Sequence, residues 1–138
     1  MRIRIPTALG AALAAAALCT LTAAGTASAV EKDGWLTANE MGLYCNSYQG
    51  SSVFDLGSHS WDENLGNDYF KGSLSCAGQK VDNNTASYWN RTSDNTLNVF
   101  TGTHSTGSQG YIPPGYVGNA SATFKNKISS VDTSYIIG

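Results

Sequence analysis

The sequence has few of the residues that most often carry catalysis or bind polyanions. Only 13% of its 138 residues are charged, and its eight Lys and Arg residues form no basic run. A chain without a basic patch is a poor partner for nucleic acid or for an anionic membrane. It has two histidines and contains neither a Gly-x-Ser-x-Gly nor a His-Glu-x-x-His motif. We therefore expect a protein that is not an enzyme.

Long amphipathic helices are also missing, because no helical pattern of ten or more residues follows position 30. Aromatic and β-branched residues instead occur in short runs separated by Gly, Asn and Ser. Thr96–Phe100, for example, alternates apolar and polar residues as a half-buried strand does. This pattern is typical of an all-β sandwich or barrel with Greek-key connections.

The first 29 residues have the pattern of a secretory signal peptide. Arg2 and Arg4 precede an apolar run at Ala11–Leu21, and a small-x-small cleavage site lies at Ala27–Ala29. The apolar run is shorter than the roughly 20 residues that a membrane-spanning helix needs. We therefore expect a secreted, extracellular protein with a single domain at residues 30–138. After loss of the signal it has six basic and ten acidic residues, a net charge of −4.

Two cysteines, Cys45 and Cys76, remain after the predicted cleavage. An even number of cysteines in an exported chain favours a disulfide bond. Such a bond would close a loop of about 30 residues, which the chain-entropy treatment values at about 4 kcal/mol.

Two stretches that combine a polar loop with the start of a strand suggest an internal repeat. They are Val81–Trp89 and Phe124–Val131, both rich in Asn and Ser, which bond to their own backbone in turns. The superposition that we predict places Asn84 on Asn126, Ser87 on Ser129 and Trp89 on Val131.

A repeated dipeptide supports the same division, since Gln49-Gly50 recurs as Gln109-Gly110. In this register 37 positions separate Gly50 from Ser87, whereas 19 separate Gly110 from Ser129. The first repeat is thus predicted to carry about 18 extra residues, mostly between Ser58 and Gly78. A long loop on a rigid β scaffold is usually functional or disordered.

These motifs resemble those of a known fold family. Tyr44–Gly50 resembles the folded hairpin of a βγ-crystallin Greek-key motif, and Lys125–Val131 resembles the Asn- and Ser-containing stretch that closes such a motif. Two motifs make one crystallin domain. The resemblance implies an all-β, βγ-crystallin-like Greek-key sandwich of two motifs.

A narrower resemblance concerns function. Val81–Ser87, followed by Trp89-Asn90-Arg91, is similar to a stretch of an exported bacterial peptidase-inhibitor family. That family is built on a single βγ-crystallin domain, and its type member, which has more disulfide bonding, inhibits metalloproteinases. The resemblance implies a proteinaceous inhibitor whose partner is an extracellular protease.

The insert that ends at Cys76 is the place where we expect the protease to bind. Tyr69, Phe70 and Leu74 are apolar side chains able to fill a specificity pocket, and Gly72 would allow close approach of the backbone. A disulfide at Cys76 would hold the loop in its bound shape. The stiff Pro113-Pro114-Gly115 connection is the rival contact surface.

The crystallin resemblance also implies a possible calcium clamp, formed by side-chain oxygens and backbone carbonyls. Neither loop has a carboxylate at its key positions, and Lys125 occupies one of them. Because calcium affinity follows the charge of the ligands, we expect weak calcium binding or none, and no other cofactor. The weak candidate ligands are Asn83, Asn84, Ser87, Asn126 and Ser129.

Two alternatives to the inhibitor share this fold class. One is a killer-toxin-like or cell-surface binding protein, and the other is a calcium-binding structural domain. In each case we expect a monomer that binds neither nucleic acid nor, after loss of the signal, a membrane.

Overall fold

The computed structural model describes residues 30–135, so the predicted signal peptide lies outside the described residues. Two short 3₁₀ turns, at Ser47–Gln49 and Leu65–Asn67, accompany the strands. Within residues 30–135, no helix has the length and apolar character needed to cross a membrane. The seven strands are β1 (Glu40–Tyr44), β2 (Val53–Gly57), β3 (Ser87–Asn90), β4 (Asn95–Phe100), β5 (Gln109–Ile112), β6 (Val117–Asn119) and β7 (Ser130–Tyr135).

The strands form two antiparallel sheets with the orders β2-β1-β3-β6 and β5-β4-β7. Strand β6 follows β5 in the chain but joins the first sheet beside β3. The reciprocal exchange is a single bridge, in which Asp62 of the first half pairs with Val131 of β7. Each half therefore pairs with the sheet of the other half, through β6 in one direction and through the bridge at Asp62 in the other. The prediction of an all-β Greek-key sandwich of two motifs is confirmed.

The core lies between the two sheets and takes alternate residues from their strands, as the two-residue period of a strand requires. Met41 and Leu43 of β1 face Leu97 and Val99 of β4 across one buried cluster. Residues from the loops complete it, among them Leu65, Phe70, Val81 and Ile128.

The outer face of the first sheet is covered as well, because β1 is buried at all five positions. Residues 30–39, here called the N-terminal strap, lie across this face. The backbone N–H of Gly34 donates to the Asp55 carboxylate at 2.8 Å, and Arg91 donates to the carbonyl of Leu36 at 3.0 Å. A Cβ at Gly42 would lie 2.8 Å from Val53 and 3.1 Å from Leu36, so only glycine lets the strap lie this close.

Two serines fix the true register of the repeat. The Ser87 hydroxyl donates to the Asn46 carbonyl at 2.6 Å and accepts the Gln49 N–H at 3.1 Å. The Ser130 hydroxyl makes the same two bonds, to Gly102 at 2.6 Å and from Ser105 at 3.0 Å. Equivalent residues of the two hairpins are therefore 56 positions apart in the sequence, and equivalent residues of the two closing stretches are 43 positions apart.

The predicted superposition of the closing loops is wrong by one residue. Asn83, not Asn84, is the equivalent of Asn126, since these two residues have positive φ angles of 56° and 58°. They also bond across the pair of loops, Asn83 N–H to the Ile128 carbonyl and Asn126 N–H to the Thr85 carbonyl. Consequently Ser87 corresponds to Ser130 rather than Ser129, and Tyr88 rather than Trp89 corresponds to Val131 of the core.

The predicted match of Gln49-Gly50 with Gln109-Gly110 is also wrong. Tyr48 and Gln49 turn the first hairpin with φ angles of 62° and 55°, and their equivalents are His104 and Ser105, at 54° and 56°. Gln109 and Gly110 instead begin β5. The dipeptide recurs by chance, because the hairpin geometry uses left-handed residues of several types.

This register corrects the size and place of the insert. Asp62 forms a backbone bridge with Val131, and Gly118 pairs with Tyr88, which is the equivalent of Val131. Asp62 and Gly118 are therefore equivalent positions of the two motifs. In the first motif 25 positions separate Asp62 from Ser87, but only 12 separate Gly118 from Ser130 in the second. The first motif thus carries 13 extra residues rather than 18, all after Asp62.

Candidate functional site

Residues 69–80, here called the insert loop, are held at both ends. Tyr69 bridges Lys80, and Phe70 exchanges backbone hydrogen bonds with Gln79 and Gly78 at 2.9 and 2.7 Å. The side chain of Phe70 is only 1% exposed and belongs to the core. Cys76 forms a disulfide bond with Cys45 of the first motif, with a Cα–Cα distance of 6.5 Å, which confirms the predicted pairing.

Between these two anchors, all five residues from 71 to 75 are exposed. Their backbone is nevertheless fixed against the residue before β2. Ser52 donates its N–H to the Ser75 carbonyl at 3.0 Å and its hydroxyl to the Leu74 carbonyl at 3.1 Å. Gly72 has a φ of +97°, which few other residues adopt. The segment is exposed yet ordered by its contacts.

The structure separates the four predicted protease-contact residues. Tyr69 is 49% exposed, Leu74 is 62% exposed, and Gly72 lies in the exposed segment between them. Phe70 is not available to a partner, because its ring packs in the core with Leu65 and Val81. Truncating Phe70 would damage the fold, so it is removed from the predicted contact set. The rival Pro113-Pro114-Gly115 stretch connects β5 to β6.

An apolar pocket of about 470 Å³ lies where the N-terminal strap, the outer face of the first sheet and the insert loop meet. Two exposed aromatic side chains, Trp35 and Trp89, form part of its lining. Its lining consists of Gly34, Trp35, Leu36, Tyr44, Gln49, Ser51, Ser52, Val53, Lys71, Gly72, Ser73, Leu74 and Trp89.

The sequence did not predict this pocket, because most residues of the strap are polar or small. Trp35 and Leu36 are the only neighbouring pair of large apolar residues in that segment. Together with Gly42, the glycine at the centre of β1, they are the signal that the segment packs against the sheet.

A second, polar cleft of about 580 Å³ lies at the start of the insert. The Lys32 ammonium of the strap contacts the carboxylates of Asp62 at 2.5 Å and Asp68 at 3.1 Å. Burial alone would lower the pKa of Lys32, but its hydrogen bonds and the two negative charges raise it. Burial likewise opposes ionisation of Asp62, but Lys32 and the Asn64 N–H lower the pKa of that carboxyl. Burial and the neighbouring Asp62 raise the pKa of Asp68. This cluster ties the strap to the insert.

The five candidate calcium ligands are only partly brought together. The Ser129 hydroxyl lies 3.4 Å from the Asn83 side-chain oxygen, and one buried carboxylate oxygen of Asp82 has no hydrogen-bond partner among residues 30–135. Ser87 uses its hydroxyl within the first hairpin, and the Asn84 amide donates to Gln79 and Lys80.

Asn126, the equivalent of Asn83, is exposed between Lys125 and Lys127, where two ammonium groups disfavour a cation. Across residues 30–135, no three His, Cys, Asp or Glu side chains converge as a metal site. The donor set therefore fits a weak oxygen site on the first loop better than a symmetric pair.

The chain was compared with known families, curated proteins and solved structures. No family model matches it, and no curated protein matches it. It is similar to a solved structure described as the N-terminal domain of protein S, with 15% sequence identity and a TM-score of 0.49. That alignment covers 70% of this chain and 97% of the other. The assignment of the fold rests on the strand order and the bonded equivalences given above.

Proposed function

We propose that this protein is a secreted peptidase inhibitor that presents residues 71–75 to an extracellular protease. One observation carries the proposal: five consecutive exposed residues are fixed on one side by buried Phe70 and on the other by the Cys45–Cys76 disulfide. A loop that already has its bound shape loses little conformational entropy on binding. Such a loop can therefore bind a protease tightly without a large interface.

Leu74 is the side chain that we propose as the anchor in the protease pocket. It is 62% exposed, while its own carbonyl accepts hydrogen bonds from the Ser52 hydroxyl and the Ala77 N–H. The backbone is thus held while the apolar side chain stays free to be buried by a partner. The resemblance to the metalloproteinase-inhibitor family supports that protease class.

The test is inhibition of a thermolysin-like metalloproteinase, measured as residual activity against increasing inhibitor. Leu74→Ala should weaken inhibition by about 2 kcal/mol, or roughly 30-fold, as expected for an anchor residue. Val117→Ala is the matched control, because Val117 is also an exposed aliphatic residue but lies on β6. It should inhibit like the parent protein.

Panels of serine and cysteine peptidases complete the experiment. Inhibition of one of those classes, with the same dependence on Leu74, would support the loop and correct the protease class. Absence of inhibition of any peptidase at micromolar protein would refute the proposal.

A second candidate function is binding to a cell surface, as in the killer-toxin-like alternative. The aromatic side chains of Trp35 and Trp89, exposed around one pocket, favour it, because clustered exposed aromatics mark interaction sites. Binding of labelled protein to intact bacterial cells, lost in Trp35→Ala but kept in Tyr111→Ala, would support this role. No binding to cells of any kind tested would exclude it.

We further propose that calcium binds weakly at most, through oxygens of Asp82, Asn83 and Ser129. The buried, unpartnered carboxylate oxygen of Asp82 supports some binding, and the single carboxylate limits it. Titration calorimetry should give a dissociation constant of about 10⁻⁴ M or weaker, in the range of weak extracellular sites. A micromolar constant would contradict this.

Export is proposed on the basis of the signal-like first 29 residues. N-terminal sequencing of the protein recovered from the culture medium should begin at Val30. Recovery of a chain that still begins at Met1 would contradict it.

A further inference from the structure

Three of the polar side chains that line the apolar pocket already have hydrogen-bond partners within the protein. The Gln49 amide donates to the Tyr88 and Gly118 carbonyls at 3.3 and 3.2 Å. The hydroxyls of Ser51 and Ser52 donate to the Ser52 and Leu74 carbonyls. A highly polar ligand such as a sugar would find few partners for its hydroxyl groups here, which disfavours it.

Two donors of the pocket are not used in this way. The Tyr44 hydroxyl and the Lys71 ammonium make no hydrogen bond or ion pair with any residue between 30 and 135. Tyr44 is only 7% exposed and belongs to the lining of the pocket. Burial raises the pKa of Tyr44, which keeps this group protonated and able to donate at neutral pH.

The lining of the pocket itself carries only a positive charge. Lys71 is the single charged residue among those that line it, although the chain as a whole is acidic. The Arg91 guanidinium lies 5.3 Å from the ring centre of Trp89, which forms part of the wall. The nearby carboxylate of Asp55 is buried and is already occupied by the N–H groups of Asp33 and Gly34.

We propose that this pocket binds a small amphipathic anion. Its aromatic or aliphatic body would pack between Leu36, Val53 and Trp89. Its carboxylate or sulfonate would accept hydrogen bonds from Tyr44 and Lys71, a combination that charge-assisted bonds favour. A volume of about 470 Å³ is in the range of pockets that hold drug-sized ligands. The site goes beyond the proposed inhibition and needs no peptidase.

The experiment uses two fluorescent probes that differ in one charged group. One is 8-anilino-1-naphthalenesulfonate, and the other is its neutral counterpart, N-phenyl-1-naphthylamine. The anionic probe should bind the disulfide-intact secreted protein saturably at one site per chain. Lys71→Gln and Tyr44→Phe should each weaken its binding about 10-fold or more, the effect of losing one hydrogen bond to a charged group. Binding of the neutral probe should be unchanged in both variants.

Lys80→Gln is the matched control, because Lys80 is an exposed lysine of the same insert loop that does not line the pocket. It should bind both probes like the parent protein. Unfolding curves of each variant check that the probe binds to folded protein. Because Lys71 is exposed, Lys71→Gln tests the site without changing a buried residue, unlike Tyr44→Phe.

Absence of saturable binding, or equal effects of Lys71→Gln and Lys80→Gln, would overturn the proposal. An equal loss of the neutral probe in Lys71→Gln would also overturn it, because the charge would then play no part. No peptidase is present, so failure here leaves the inhibition assay untouched, and failure of inhibition leaves this binding intact.

Discussion

The two Greek-key motifs have the same hydrogen-bonded skeleton but differ in what surrounds it. Ser87 and Ser130 close their hairpins with the same two bonds, and Asn83 and Asn126 bond across to each other's loop. Within residues 30–135, only the first motif has an insert, a disulfide and a strap over its sheet. The shared bonds specify the fold, whereas the additions to the first motif form the surfaces on which both proposals rest.

The largest expected effect on stability comes from Phe70, the residue that anchors the insert of the first motif in the core. Phe70→Ala should lower the free energy of unfolding by about 3–5 kcal/mol, because it leaves a cavity in the core. Tyr69→Ala, at the exposed neighbouring position, should change it by less than about 0.5 kcal/mol. Urea unfolding of both variants measures the contrast. Equal, small effects would mean that the insert does not contribute to the core.

Loss of the disulfide bond is expected to have the next largest effect on stability. Replacing both Cys45 and Cys76 by Ala should lower the free energy of unfolding by about 2–5 kcal/mol, since the unfolded chain is no longer cross-linked. The comparison is between the parent protein and the double variant under identical non-reducing conditions. If their denaturation midpoints coincide, the cross-link contributes no stability.

The two closing serines test the register of the repeat. Ser87→Ala and Ser130→Ala should each destabilise the protein by about 1–3 kcal/mol, because each loses two hydrogen bonds to the backbone of its hairpin. Ser129→Ala should have a smaller effect, since its hydroxyl has only one long contact, at 3.4 Å. Similar losses for Ser87 and Ser129, with none for Ser130, would restore the register predicted from residue types.

The smallest effect concerns the ion pairs of the strap. Lys32→Met should lower stability near neutral pH by about 0.2–1 kcal/mol, because the ammonium is partly exposed and screened. The pKa of Lys32 is raised, so its contribution is present below about 10.5 and is lost as pH rises through the higher folded value.

At acid pH the contribution of the ion pair to stability depends on pH in the opposite direction, through the carboxyl group of Asp62. The pKa of Asp62 is lowered, so its contribution is present above its ordinary value of 3.8 and is lost as pH falls below that value. The parent and Lys32→Met proteins should therefore differ most between about pH 5 and 10. A difference that persists unchanged at pH 12 or in 1 M salt would show that packing, not charge, is responsible.

The fold class and the disulfide were predictable from the sequence because both depend on composition and local pattern. The register was not, since Asn83 and Asn84 are adjacent residues of the same type and allow two superpositions. Hydrogen bonds between residues far apart in the chain, such as Asn126 to Thr85, decide between them. Local residue preferences contain no information about those partners.

The candidate site was predictable only in outline. The insert and its exposed Leu74 follow from chain length and residue type, but the burial of Phe70 between exposed Tyr69 and Lys71 depends on how the loop crosses the core. The apolar pocket depends on three segments that meet only in the fold. None of its polar donors belongs to a recognisable motif.

The double anchoring of residues 71–75 also determines what happens if a protease cuts this segment. Hydrolysis would create two new chain ends, one still attached to the core through Phe70 and the other still attached through Cys76 to Cys45, the residue after β1. Neither end could diffuse away, so the cleaved product would stay folded and the new amine and carboxylate would remain close together. In that geometry the peptide bond can be remade, and cleavage becomes a reversible event rather than the destruction of the molecule.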